Sequence, residues 1–268
     1  MNAHSLSIVT PTYNRAHLIC RSLDMSLQLV AADIASEIIV VDDASTDNTI
    51  QMLHDRYSRE IASGVLVIER LPVNQGVTGA KNRGAALARG HWIAFMDSDD
   101  WFVPESALAM QAQLRQLSSH TAVFFRCQDQ ASGCLIGDAC AAAELTLSTM
   151  LNAGTPGECL PVVKRAAILE VPYPTALRGS EGLTYLAWLH AGRTIYLSDL
   201  VVREYDNSGA DRLSSRKGLK KRAGFLVRHN LHMLRYIRYA TPKTVFGWVA
   251  RIVYYSGVVL INKIYPVK

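Results

Sequence analysis

Acid is missing from one end of this 268-residue chain: from Arg212 to Lys268 there are 13 Lys and Arg and no Asp or Glu. The rest holds the other 15 bases and all 23 acids, so a net charge of +5 conceals an acidic body and a wholly basic tail. Such a tail suits an anionic surface, a membrane leaflet or nucleic acid, and charge alone does not separate the two. Cysteine is scarce. Cys20, Cys127, Cys134, Cys140 and Cys159 form an odd set without a Cys-x-x-Cys pair. That argues against a disulfide framework or a zinc site and leads us to expect reduced thiols in a cytoplasmic compartment. Met1 to Ser5 run straight into a strand-like segment without a basic leader and apolar stretch, the pattern expected of a chain that is not exported. There is no internal repeat, low-complexity tract or long Pro, Gly or Ser linker, so a second domain of independent origin is not expected.

Two nucleotide motifs are also absent. Gly76-Val77-Thr78-Gly79-Ala80-Lys81-Asn82 has the look of a phosphate loop, but Ala80 stands where Walker A needs glycine and Asn82 where it needs Ser or Thr. After the first strand, Thr10-Pro11-Thr12-Tyr13-Asn14-Arg15 replaces the Gly-x-Gly-x-x-Gly of dinucleotide folds. What is present is alternation. Leu6 to Thr10 reads as a strand, residues 16–32 as a helix, Glu37 to Val41 as a strand, and Ser45-Thr46-Asp47 as caps of a helix running to Ile61. Val65 to Ile68 is a third strand, Gly79 to Arg89 a helix, and His91 to Met96 a fourth strand. Strand and helix in turn predict a parallel α/β sheet. A helix from Glu105 to about Leu117 and a strand over Ala122 to Phe125 continue it, whereas Gln128 to Pro161 shows no sustained period.

The fourth strand ends in Asp97-Ser98-Asp99-Asp100. Three carboxylates in four residues repel one another, and a divalent cation held by oxygen ligands is the simplest way to offset them. The carboxyl ends of strands are also where an open α/β sheet presents side chains to a ligand crevice. The alternative is an acidic turn that caps the helix near Pro104.

Taken together, Val9 to Arg15, Ile39 to Asp47, Asn74-Gln75-Gly76 with Ala80-Lys81-Asn82, and Phe95 to Asp100 closely resemble family-2 glycosyltransferases. The resemblance covers roughly residues 5–205, strongly to 104. It implies a GT-A fold: a Rossmann-like, mostly parallel open sheet flanked by helices, here with a basic amphipathic helical extension. It also implies a nucleotide-sugar donor, a divalent cation (Mn²⁺ or Mg²⁺) and inversion at the anomeric carbon. Carried over by residue, Pro11, Tyr13 and Arg15 line the nucleotide pocket, with the Tyr13 ring beside the base and Asp43 accepting from the base edge or ribose. Lys81 and Asn82 sit at a helix start that favours phosphate. Asp97 falls on the sugar or ribose side and Asp99 on the metal. Bland readings stand beside these: Tyr13 as a loop aromatic, Asp43 as a cap of the next helix, Lys81 as a surface lysine. The family's base usually comes from a Glu-Asp pair opening a late helix; here it reads Glu181-Gly182, which leaves Glu181 as the candidate, with capping as its bland alternative. The late histidine that often reaches the metal has no counterpart in Val202 to Asn207, where Asp206 or a water could serve.

The expected organisation is a catalytic body, 1–211, and a basic helical extension, 212–268. Ser215 to Ala240 reads as a helix, and Thr241-Pro242 as the cap and first turn of another. In that second helix Thr244, Gly247, Arg251, Tyr254, Tyr255 and Asn262 share one side, while Val245, Trp248, Val249, Ile252, Val253, Val259 and Leu260 lie largely elsewhere. This interfacial pattern leads us to expect a peripheral protein on the inner face of the cell membrane. Packing onto the body and spanning are the alternatives, and a spanning helix would bury Arg251 at about 2.5–3.5 kcal/mol. A glycan or lipid-linked acceptor follows from the family's habit of extending polysaccharide or lipopolysaccharide intermediates. Nucleic acid is not expected, for want of a recognition helix or stacking aromatics. The competing reading is a nucleotide- or glycan-binding module of the same fold that has lost its chemistry.

Overall fold

The computed structural model describes residues 5–206, 219–220 and 222–264. Strands β1 (Leu6–Thr12), β2 (Glu37–Asp42), β3 (Leu66–Arg70) and β4 (Trp92–Phe95) lie parallel in the order β3-β2-β1-β4. Their intervening helices are α1 (Ile19–Ala31), α2 (Thr49–Arg56), α3 (Ser58–Ala62) and α4 (Gly76–Leu87). Every residue of β1 and β2 is buried, as it must be in a parallel sheet covered on both faces. Alternation still decides direction. Ile8, Ile38 and Val40 pack toward Leu23 and Leu29 of α1, while Val9, Ile39 and Val41 pack toward Ala80 and Ala85 of α4. Close approach of α4 needs glycine, since a Cβ on Gly84 would stand 2.3 Å from Val9 Cγ1.

Beyond β4 the sheet is mixed rather than parallel. The short β5 (Trp101–Phe102), helix α5 (Ala107–Gln116), β6 (Ala122–Asp129), β7 (Ala143–Leu145) and α6 (Leu147–Asn152) lead to β8 (Cys159–Lys164). That strand inserts antiparallel between β4 and β6. Its first half lies in the aperiodic stretch, where Pro161 disguises it; Pro161 sits one residue past the last pairing with β4, Ala94 with Val162, where a missing N–H breaks no bond to that strand. Helices α7 (Arg165–Glu170) and α8 (Gly182–His190) precede β9 (Ile195–Tyr205), which runs parallel to β6 and antiparallel to β5 and β7. All five thiols are free.

Of the helix expected over Ser215 to Ala240, residues 215–218 and 221 lie outside the described residues. The rest forms α9 (Ala223–Met233) and a 3₁₀ turn, Leu234–Tyr239. Helix α10 (Pro242–Ile264) packs back along it. Trp248 is buried with Met233 of α9 and Leu151, Leu177, Leu183 and Leu186 of the body, so the extension is docked. Arg251 Nε donates to Asn230 Oδ1 at 3.0 Å, and the outer face of α10 carries exposed Phe246, Val249, Val253, Leu260 and Ile261.

Candidate active site

The carboxyl ends of β1, β2 and β4, the start of α8 and the extension enclose a cleft of 820 Å³. Pro11, Tyr13, Arg15, Asp43, Lys81, Asp97, Asp99 and Glu181 all line it, although the last lies 84 residues beyond Asp97 in the chain. Two loops form one end of it. Asn14 and Ala44 both hold positive φ, 53° and 64°, a conformation that costs energy for side chains other than glycine. A mutual clip holds them: Asn14 N donates to Ser45 Oγ at 2.8 Å and Asn14 Oδ1 accepts from Thr46 N at 2.8 Å. Asp43 accepts from Gln75 N at 2.6 Å and Gly76 N at 2.7 Å. It therefore anchors the start of α4 rather than the helix that follows it in sequence, and still borders the cleft.

Asn82 is the one expected donor residue that the structure takes out of the cleft lining. Its amide donates to Tyr173 O at 2.8 Å and accepts from Tyr173 N at 3.0 Å, pinning the segment that leads to α8. The residue faces the body because helical spacing turns it about 100° from Lys81.

Lys81 spans the cleft floor. Its ammonium lies 3.2 Å from Asp97 Oδ1 and 3.6 Å from Glu181 Oε1, with only 11% of the side chain exposed. Burial would lower its pKa, but the two carboxylates together raise it above the ordinary value. Burial likewise opposes ionisation of Asp97, yet Lys81 and Arg203 hold it below the usual carboxylate range. Asp99 goes the other way: burial and the neighbouring Asp97 raise it, Asp206 adds to the rise and Arg15 offsets part of it. Burial pushes Asp100 up to about 7 against the pull of Arg203. The strand-end acids thus divide into a compensated Asp97 and an Asp99 that faces an excess of negative charge.

Several cleft residues carried no local signal. Arg203, Glu158, Tyr185, Arg222 and His229 all line it. Arg222 Nη2 donates to the carbonyls of Arg178 and Gly179, just before Glu181, and a Cβ on Gly179, at φ +74°, would stand 2.4 Å from that nitrogen. His229 Nδ1 lies 3.1 Å from Ser180 Oγ. Burial, then Arg251, His232 and Arg222, lower its pKa, which favours the neutral imidazole. Arg178 continues the line inward, donating to Asn74 Oδ1 and Asn74 O at 2.9 Å.

A parallel nucleotide-binding half joined to a mixed half, with an acidic strand end between them, defines a GT-A glycosyltransferase fold. Residues 7–130 match the sequence model of "Glycosyl transferase family 2", and over that stretch the chain is similar to family-2 glycosyltransferases. A poly(ribitol-phosphate) beta-glucosyltransferase of Bacillus spizizenii is 40% identical over 104 residues, 38% of this chain and 16% of that protein. The Staphylococcus aureus poly(ribitol-phosphate) beta-N-acetylglucosaminyltransferase TarS is 28% identical over 201 residues, 72% of this chain and 34% of that protein. The chain thus spans only part of these relatives' length. The crystal structure of S. aureus TarS 1–349 in complex with UDP-GlcNAc superposes with a TM-score of 0.68 at 21% identity, covering 92% of this chain and 72% of that one. That likeness carries the fold.

Proposed function

We propose that this protein is an inverting, cation-dependent glycosyltransferase that moves a sugar from a UDP- or dTDP-linked donor to a hydroxyl of a glycan acceptor, lipid-linked, in cell-surface polysaccharide synthesis. The observation that carries the reading is the Lys81 bridge: it brings the candidate base, Glu181, and the strand-end acid, Asp97, to one wall of one cleft. The UDP-GlcNAc complex of a structurally similar protein and the sugar transfer named for the relatives support a UDP-sugar.

In this reading the half-exposed Tyr13 ring lies along the base, Pro11 and Arg15 border it, and Asp43 accepts from base or ribose while anchoring the loop at α4. Asp97, fixed by Lys81 and Arg203, takes sugar or ribose hydroxyls. The surplus negative charge at Asp99 fits Mn²⁺ or Mg²⁺, which take oxygen ligands. Among the described residues no three His, Cys, Asp or Glu groups converge as a ready ligand set, so donor oxygens and water would supply the remaining positions. When bound, the cation neutralises charge on the departing nucleoside diphosphate. Glu181, oriented by Lys81 without a second acid beside it, accepts the acceptor hydroxyl's proton as that oxygen bonds to the anomeric carbon and the bond to the diphosphate breaks. One displacement inverts the carbon.

The test is nucleotide release from a panel of UDP-, GDP- and dTDP-sugars, with Mn²⁺ or EDTA and with membrane extract as acceptor source. We expect one donor to turn over with metal, Asp99→Ala to abolish turnover and Glu181→Gln to lower it about 10²–10⁴-fold. UDP binding with no turnover of any donor would instead support a binding module without chemistry.

A further inference from the structure

Arg203 has no part in the reading of the sequence, yet it lies under the strand-end acids with 3% of its side chain exposed. The pairing that forms β5 puts it there. As the chain turns from Asp97 to Trp101, β5 joins β9 with Trp101 opposite Glu204 and Phe102 opposite Arg203, which sets Asp100 over the guanidinium. Arg203 Nη1 stands 3.4 Å from Asp100 Oδ2 and 3.9 Å from Asp97 Oδ2. Its other nitrogens are committed below: Nη2 donates to Cys159 O at 3.3 Å and Nε points to Cys127 Sγ at 3.1 Å. Glu158 Oε2 at 3.9 Å completes the set. From the other side, Asp100 Oδ1 accepts from Asp206 N at 3.0 Å.

A buried ion pair seldom stabilises a fold more than well-packed apolar side chains of the same volume would. Stability therefore gives little reason for an arginine in this position, whereas geometry gives one. Nε and Nη2 are anchored on Cys127 Sγ and Cys159 O, which leaves Nη1 to face Asp100 and Asp97 from a fixed direction, a division of contacts that a single ammonium does not make. Lys81 pairs with Oδ1 of Asp97, and Arg203 faces its Oδ2. Asp99 has no such partner among the described ion pairs, and the opposing charge that acts on it is Arg15.

We propose that Arg203 is a positioning residue of the transfer site: its buried fork fixes Asp97 and Asp100, so that of the three strand-end carboxylates Asp99 alone is left for a divalent cation. This rests on the transferase reading for its kinetic consequence, though not for its binding consequence. Arg203 touches no reacting atom and acts through the two aspartates.

The binding arm measures free Mn²⁺ by electron paramagnetic resonance in titrations of the UDP-loaded protein. We expect Asp99→Asn to lose Mn²⁺ binding and Asp100→Asn to keep it within about threefold; loss in Asp100→Asn equal to that in Asp99→Asn would make Asp100 a ligand and overturn the assignment. In the kinetic arm, Arg203→Lys keeps charge but not the fork. Donor hydrolysis by this variant should fall at least about tenfold in kcat with KM within about threefold, and a folded Arg203→Lys protein with kcat within twofold of the parent would overturn the proposal. Should the parent turn over no donor, the transferase reading fails and Arg203 is judged by melting. Arg203→Met strands Asp100, so the Tm losses of Arg203→Met and Asp100→Asn should sum to more than the loss in the double variant, and additive losses would sink the contact.

Discussion

At Asp100 the energetics of one buried carboxyl set a dependence on pH. Its pKa is raised from 3.8 to about 7, so between those values the folded protein holds a proton that the unfolded chain has released. The contribution of Asp100 to stability falls as pH rises through that window, the reverse of a salt-bridged carboxylate, while His229, whose pKa is lowered, contributes in the opposite sense near its upper end. In EDTA, Asp100→Asn should make the slope of Tm against pH between about 4 and 7 more positive than in the parent; an unchanged slope would mean that Asp100 does not carry this dependence. Gly84 gives a second single-residue expectation. Alanine there gains about 1 kcal/mol of helix propensity but drives a Cβ to 2.3 Å from Val9 Cγ1, and overpacking of this kind costs about 1–3 kcal/mol. Gly84→Ala should therefore melt lower, with Val9→Ala in the same chain restoring part of the loss.

Among the elements, the helices of the extension depend on the body rather than on their own propensity. Trp248 is the plug: 2% exposed, it fills a cluster contributed by α6, α8 and α9. Truncating a buried tryptophan to alanine costs about 3–5 kcal/mol. That loss falls on the docking of α9 and α10, because the two larger clusters on either side of the sheet do not include Trp248. Hydrogen exchange of Trp248→Ala should show faster exchange across α9 and α10 with β1, β2 and β4 still protected. Uniform loss of protection would mean that the extension and the sheet unfold as one unit. Since Arg222 precedes α9 and holds the carbonyls before Glu181, the same variant should also lower donor turnover, measured as nucleotide release.

For the whole molecule, the arrangement of charge and apolar surface points the extension outward. Helix α10 is long and apolar enough to cross a membrane by length and composition, with 6% of that stretch buried. Its exposed Arg251 reaches across to Asn230, and Phe246, Val249, Val253, Leu260 and Ile261 make much of the exposed surface apolar. We expect this face to meet a bilayer surface, with basic side chains of the extension adding attraction to anionic lipid, about 1 kcal/mol each near the surface. Sedimentation with vesicles should show binding to phosphatidylserine-containing liposomes that weakens with salt. Phe246→Glu with Val253→Glu should reduce it at least about tenfold. Equal binding by that variant would remove α10 from the interface.

The sequence by itself determined the parallel half. The strands are continuous apolar runs, each followed within a few residues by the polar group it presents, so the Asp97 to Asp100 cluster was legible from local order, and Tyr13 and Asp43 from the resemblance of the motifs that hold them. Tertiary structure decided the rest. Residues Cys159 to Lys164 were illegible because Pro161 breaks the run and partners on both sides, not local pattern, make them a strand. Asn82 was misplaced because one helical step separates a cleft residue from a body residue. Arg203 and His229 became part of the site only when β9 and the docked α9 folded over it, 106 and 132 residues beyond Asp97. Short-range order is set by side-chain period and backbone preference, which the chain spells out, whereas the meeting of distant charges depends on strand order and helix docking, which only the folded state fixes.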